Sequence, residues 1–329
     1  MTERVSIIVC AYTESRWREQ VAALASLHTQ TRQPDEIIIV IDHNEALFNR
    51  SRAAFPDVIV IQNDQKRGLS GARNAGLRVA TGDIIAFMDE DAQAEPTWLA
   101  ALLDAYADPA VMGVGGAILP AWEQGRPRWF PAEFDWVVGC TYKGLSEATA
   151  PVRNLIGCNM SLRRSVFDGV GGFRDGIGRV GTRPVGCEET ELCIRARQHW
   201  PEHTFIYEPK ARVHHVVPTT RANWRYFRSR CFSEGISKAL VSQLVGAGDG
   251  LSSERSYTLK TLPLGVLAGL RDLLRGDGTG VGRAAAIVIG LVFTLSGFIV
   301  GKVAERRKAT VKTQAPVVEL SSNPQGLDI

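Results

Sequence analysis

The chain predicts an α/β fold built on a mostly parallel sheet, and three observations support that prediction. Short β-branched runs alternate with helix-periodic segments along the first third of the sequence. The segments between runs are long enough to cross over a sheet, as parallel strands require. The fourth run, residues 84–88, is too short for a helix and ends in three consecutive carboxylates, Asp89, Glu90 and Asp91. It reads as a buried strand with acids at its carboxyl end.

The elements follow in order. Val5-Ser6-Ile7-Ile8-Val9-Cys10 is the first strand, and residues 17–28 place apolar side chains at helical spacing. Residues 36–41 form a second strand stopping at Asp42, residues 46–55 a helix, residues 58–61 a third strand and residues 69–80 another helix. In open sheets of this kind ligands bind beyond the carboxyl ends of the strands. Acids gathered there repel one another unless a cation offsets them. A hard divalent ion does so, taking one or two carboxylates and filling its shell with water and phosphate oxygens. The alternative is an acidic turn opening a helix at Pro96-Thr97-Trp98, where negative charge suits the helix N-terminus.

Composition fits a globular enzyme of one large or two modest domains: 329 residues, 45% hydrophobic and 22% charged. A net charge of +3 is too small to suggest nucleic acid as a partner. The best local basic patch is Arg221, Arg225, Arg228 and Arg230. Six cysteines, at 10, 140, 158, 187, 193 and 231, contain no Cys-x-x-Cys pair and read as reduced, buried thiols of a cytosolic domain. The apolar run at the N-terminus is short and belongs to a strand, not a signal peptide.

Residues 111–218 are less regular, rich in Gly, Pro and Trp, as cleft-lining segments are. Trp122, Trp129, Phe130 and Trp136 either pack a long loop or stack on a sugar. Residues 284–301 are eighteen in a row without a charge, just long enough to cross a bilayer. Arg271, Arg275 and Arg283 precede this segment, and Lys302, Arg306, Arg307 and Lys308 follow it. Positive charge on both sides favours a re-entrant helical hairpin, with residues 259–274 at the interface, over a single crossing. The expected organisation is therefore residues 1–110 for a donor, 111–235 for the acceptor and catalysis, 236–310 as membrane-associated helices and 311–329 as a disordered tail.

Several segments invite chemistry. Tyr12 offers a flat ring to a nucleobase, and Asp42 can accept from a base N–H or simply close a turn. Residues 68–76, Gly-Leu-Ser-Gly-Ala-Arg-Asn-Ala-Gly, permit close backbone approach and place Arg73 on the first turn of a helix, within reach of a diphosphate. Gly186-Cys187-Glu188-Glu189-Thr190-Glu191-Leu192 sets three acids at a helix start. His214 and His215 can add imidazole to a metal shell. Asn154 to Ser161 and Gly171-Gly172-Phe173 precede the acidic helix.

Taken together, Tyr12, Asp42, the 68–76 segment, the Asp89-Glu90-Asp91 triplet and the Glu188-Glu189 motif resemble glycosyltransferase family 2 over residues 5–235. The resemblance implies the GT-A fold and an inverting enzyme. It implies a nucleotide-sugar site at Tyr12, Asp42, Arg73 and Asp89, and Mg²⁺ or Mn²⁺ on Asp91, assisted by Asp89 and by His215 or His214. The general base falls at Glu189, where the family usually has Asp, with Glu188 as the fallback. With the apolar tail, this implies a membrane-attached enzyme at the cytoplasmic face, moving a sugar from a UDP-type donor to a lipid-linked or envelope-glycan hydroxyl. The rivals are a polyprenyl-phosphate glycosyltransferase, needing little base catalysis, and a catalytically silent nucleotide-sugar-binding scaffold. A processive synthase lacks its Gln-x-x-Arg-Trp motif here, and a nucleotidyltransferase its Lys-bearing Gly-rich loop.

Overall fold

The computed structural model describes residues 3–178, 186–246 and 254–314. Seven consecutive buried residues make β1 (Val5–Ala11) the centre of a sheet. β2 (Glu36–Ile41) and β3 (Ile59–Gln62) extend it in parallel on one side, and β4 (Ile84–Asp89) lies parallel on the other. The helices α1 (Trp17–His28), α2 (Glu45–Ala54) and α3 (Leu69–Val79) are the crossovers. Gly76 lets α3 settle on the sheet, since a Cβ there would stand 2.7 Å from Ile8.

The sheet then changes character. After β5 (Ala92–Ala94) and α4 (Trp98–Asp104) come β6 (Val111–Trp122), β7 (Ala150–Val152), β8 (Asn159–Arg163), α5 (Arg164–Val170), α6 (Glu188–His199) and β9 (Thr204–Val217). The strand order is β3-β2-β1-β4-β8-β6-β9-β5, with β7 against β9. β8 runs antiparallel to both β4 and β6, while β6 and β9 are parallel. The parallel half is thus the half with helical crossovers. β8 is reached through irregular chain, which leaves its direction free.

Strand alternation splits the core into two layers. Ile7, Val9, Ile39 and Met88 pack with Leu24 of α1 and Trp98 of α4, whereas Ile8, Val40 and Phe87 pack with Ala72 of α3 and Leu192 of α6. Six free cysteines are all buried, as their composition implied.

Three further helices attach to the first layer: α7 (Trp224–Val245), α8 (Leu262–Leu274) and α9 (Thr279–Gln314). Phe227, Leu262, Ala286 and Ile287 join its core cluster. α7 and α9 touch backbone to backbone: a Cβ on Gly297 would lie 1.9 Å from the Phe232 carbonyl oxygen, and one on Gly235 2.0 Å from that of Thr294. Residues 279–304 are long and apolar enough to cross a membrane, yet their inner side rests on α7 and on Phe134. Their outer side, with Val288, Val292, Leu295 and Ile299, is exposed, as are Leu264, Leu267 and Leu274 of α8.

Position 235, the expected end of the acceptor region, falls inside α7, and β6, β8 and β9 share one sheet with β1–β4. α9 continues to Gln314, so residues 311–314 of the expected tail are helical and residues 315–329 lie outside the described residues. Trp122, Trp129 and Phe130 are packing residues. Trp129 stacks on Trp224 at 4.0 Å, and Phe130 meets Trp122 edge-on at 5.1 Å. Trp136 reaches the cleft and donates to the Tyr257 hydroxyl at 2.9 Å.

Candidate active site

The strand order reverses at β1, with β2 on one side and β4 on the other, and a crevice opens beyond their carboxyl ends. Cys10 lies level with Asp89, so Tyr12 and the acidic triplet emerge side by side. Tyr12 is exposed at the rim, with the Arg16 guanidinium 5.6 Å from its ring. Asp42 closes the neighbouring loop: its Oδ1 accepts from Asn63 at 2.7 Å and its Oδ2 from the Gly68 amide at 3.0 Å. Gly68 precedes α3 with φ of 123°, a conformation only glycine takes freely.

The triplet divides at the strand's end: Asp89 is the last residue of β4, and Glu90 and Asp91 form the turn into β5. Asp89 faces the cleft. Glu90 and Asp91 turn inward, and Arg16 binds both, at 2.7 Å and 3.0 Å. The antiparallel pairing of β5 with β9 sets Ala92 opposite His215, which brings His215 Nε2 to 3.2 Å from Asp91 Oδ1. Arg221 stands 4.0 Å from Asp91 Oδ2. Burial alone pushes the Asp91 carboxyl up, but His215, Arg16 and Arg221 together hold it well below the usual range. Burial and the adjacent Asp91 raise Glu90 to about 7.

These residues fit a divalent cation. His215 and Asp91 are joined directly, as a hydrogen-bonded ion pair at 3.2 Å. Ligating atoms of Asp89, Cys158 and His215 lie within 4.8 Å of one another. Burial, then Asp89, raises the Cys158 thiol far above its ordinary value, and a neutral thiol is a poor ligand for hard Mg²⁺ or Mn²⁺. Within this group Asp89 and His215 are the members suited to a hard cation, and Asp91 stands beside it with its oxygens held by Arg16 and His215. His214 falls outside it. Successive side chains of β9 point to opposite faces, and His214 is 47% exposed, paired with Glu95 at 3.0 Å.

Across the cleft, α6 begins at Cys187, whose φ of 76° is left-handed. Its first two carboxylates have different surroundings. Glu188 is buried and bound to Arg73 at 2.8 Å, and its Oε2 has no hydrogen-bond partner among the described residues. Glu189 lines the cleft, half-buried, with no ion pair or side-chain hydrogen bond among the described residues. Burial, reinforced by the Glu188 charge, lifts its carboxyl to about 8. Glu191 is structural, holding Arg195 at 2.9 Å and Arg174 at 3.0 Å.

Arg73 sits in the second turn of α3 rather than the first, because the helix starts at Leu69. Its guanidinium is buried between Glu188, the Gly157 carbonyl at 3.1 Å and the rings of Phe87 and Phe173, with Asp89 at 3.8 Å. It braces the two acidic walls against each other. Arg16 was not among the expected residues. It works through contacts seventy-four and seventy-five positions away, and only a folded chain reveals them.

A mixed α/β sheet with carboxylates in a crevice at its switch point is a ligand-binding architecture, and comparison with known proteins gives its class. The family model of glycosyl transferase family 2 matches residues 6–171. A glucosyl-dolichyl phosphate glucuronosyltransferase of Haloferax volcanii is 37% identical, over 79% of this chain and 83% of its own. The succinoglycan biosynthesis protein ExoM of Rhizobium meliloti is 27% identical, over 71% of this chain and 74% of its own. Among solved structures, the mannosyltransferase PcManGT from Pyrobaculum calidifontis, in complex with GDP-Man and Mn²⁺, superposes with a TM-score of 0.55 at 18% identity, covering 90% of this chain and 88% of that one. GalNAc-T7 with UDP, GalNAc and Mn²⁺ has a TM-score of 0.51 at 15% identity, covering 71% and 48%. The chain belongs to glycosyl transferase family 2 and is a glycosyltransferase of the GT-A fold that uses a nucleotide sugar.

Proposed function

We propose that this protein is an inverting, metal-dependent enzyme of the cytoplasmic membrane face that transfers a sugar from a nucleoside-diphosphate donor, a UDP-sugar, to a hydroxyl of a lipid-linked glycan. The observation that carries the proposal is Glu189: it lines the same cleft as Asp89 and His215 with no ion pair among the described residues, while Arg73 pairs with Glu188. A general base must be free to reach the proton it takes. In the proposed step the acceptor oxygen bonds to the anomeric carbon from the face opposite the leaving group. The bond to the diphosphate oxygen breaks with its electron pair, and the hydroxyl proton passes to Glu189. Asp89 and His215, with Asp91 beside them, would hold Mg²⁺ or Mn²⁺, which when bound neutralises the charge of the departing diphosphate. Tyr12 lies where a base would stack, and Asp42 keeps the Gly68 loop in place beside it. A lipid-linked acceptor is supported by the Haloferax volcanii relative, named for glucosyl-dolichyl phosphate, and by the exposed apolar faces of α8 and α9.

The test is a donor screen on detergent-purified protein. Nucleoside diphosphate release from UDP-, GDP- and dTDP-sugars is followed with and without Mn²⁺ or Mg²⁺, with a glucosylated polyprenyl phosphate as acceptor. Metal-dependent transfer from one donor is expected. Tight nucleotide binding with no turnover of any donor would overturn the proposal in favour of a silent binding module.

A further inference from the structure

The cleft measures about 1320 Å³, more than the roughly 300–1,000 Å³ of an ordinary small-molecule pocket. It continues from Asp89 and His215 past Glu189 to the inner surfaces of α7, α8 and α9. The two ends differ in charge. Near the triplet the walls carry Asp89, Glu188 and Glu189 against Arg73 and Arg221. At the far end four cations, Arg153, Arg230, Lys238 and Arg255, face two carboxylates, Glu234 and Glu254. Those carboxylates organise the cations: Glu254 binds Arg153 at 2.8 Å and Lys238 at 2.6 Å, and Glu234 binds Arg230 at 3.3 Å.

Beyond this cluster the lining turns apolar, through Leu262, Leu291 and Phe298 to Leu259 and Leu295. Leu259 and Leu295 are 77% and 52% exposed, so they line the cleft and also belong to the outer apolar face of α8 and α9. Lys260, Arg271 and Arg275 are exposed around that face, as suits anionic headgroups. The start of α6 is fastened to α7, with the Gly186 amide donating to Ser237 at 3.2 Å and the Cys187 thiol to Glu234 at 3.6 Å. Glu189 therefore stands between the acidic and the cationic ends.

We propose that the far end is an amphiphilic acceptor subsite, in which the Arg153–Arg230–Lys238–Arg255 wall seats the acceptor's phosphate and the Leu259–Leu295 exit passes its polyprenyl chain into a lipid leaflet lying on α8 and α9. This rests on the lipid-linked acceptor proposed above. The donor end is taken by the nucleoside diphosphate, and among the described residues the other end carries two more cations than carboxylates, which draws a phosphate. Its sugar then projects back toward Glu189, while its chain leaves along Leu262, Leu291 and Phe298 to the exposed Leu259 and Leu295.

The experiment uses the full chain in detergent with the donor found active in the screen. Three acceptors are compared: a long-chain polyprenyl phosphoglucoside, its single-isoprene analogue, and a long-chain polyprenyl glucoside without phosphate. For the wild type, KM should be lowest for the first, by at least about tenfold over either other acceptor. The double variant Leu259→Gln, Leu295→Gln should remove the chain-length preference and keep the phosphate preference. Lys238→Gln should do the reverse, and Lys238→Arg should restore it; Arg255→Gln, at an exposed position, gives the same readout if Lys238→Gln does not fold. Transfer to lipid acceptors with preferences unmoved by these variants would overturn the subsite alone. Transfer only to soluble saccharides would overturn the lipid-linked acceptor and the subsite with it.

Discussion

Two adjacent glutamates at the start of α6 differ in their partners: Arg73 forms an ion pair with Glu188 at 2.8 Å, while Glu189 has none among the described residues. Glu189→Gln should reduce turnover by at least about 100-fold with donor KM unchanged; transfer at the wild-type rate would remove Glu189 from the role of base. Because the carboxyl is raised to about 8, it is protonated below that pH and cannot accept a proton. The rate kcat/KM should therefore climb with pH through about 8, a limb absent from the residual activity of Glu189→Gln. Stability has the opposite sign. The folded state holds this proton more tightly than the unfolded chain, so the contribution is complete below the ordinary carboxylate range and lost as pH rises through about 8. Thermal melts should show wild type losing Tm relative to Glu189→Gln as pH rises from about 4.5 to about 8, with no further loss above that. The histidine pair gives a further check. His215→Ala should abolish the Mn²⁺-induced rise in Tm with nucleoside diphosphate present, whereas His214→Ala, with its ring on the opposite face of β9 beside Glu95, should keep it.

At the scale of elements, strands bring the site residues together and helices hold them apart at working distance. β5 is only three residues long, yet its pairing with β9 is what delivers His215 to the triplet. α7 and α9 depend on glycine for their approach. Gly297→Val places a side chain against the Phe232 carbonyl, 1.9 Å from where a Cβ would stand. Overpacking of this kind costs about 1–3 kcal/mol, and a backbone carbonyl cannot swing away as a side chain does. Urea denaturation should show that loss, while Gly278→Ala, with open space around it, should change little.

For the whole molecule, the outward apolar faces of α8 and α9 bear on the proposed membrane attachment. α9 has the length to cross a bilayer, but its packing on α7 and Phe134 makes it part of the globular core. A helix with one side in protein and the other exposed and apolar is suited to lie along a membrane surface. Binding to neutral phospholipid vesicles should therefore persist in high salt, because apolar contact is not screened. Val288→Asp combined with Val292→Asp should release the protein from the vesicles. Unchanged vesicle binding by that variant would move the contact elsewhere.

Local pattern was enough for the alternating first half, its mostly parallel sheet and the acidic motifs. Each of these is a matter of period and spacing: buried runs such as residues 84–88 are legible because strand and helix impose different repeats. The resemblance over five motifs added the GT-A fold and extended that reading to family and activity. Other features depended on long-range pairing, which no local repeat encodes. Only the fold shows that His214 and His215 lie in different surroundings and that Arg73 pairs with Glu188 rather than Glu189. Only the fold, too, brings Arg16 to the triplet and the helices at the C-terminal end against the catalytic cleft. Those choices are made by which face of a strand or helix meets its neighbour, and a neighbour seventy or more residues away is set by tertiary structure alone.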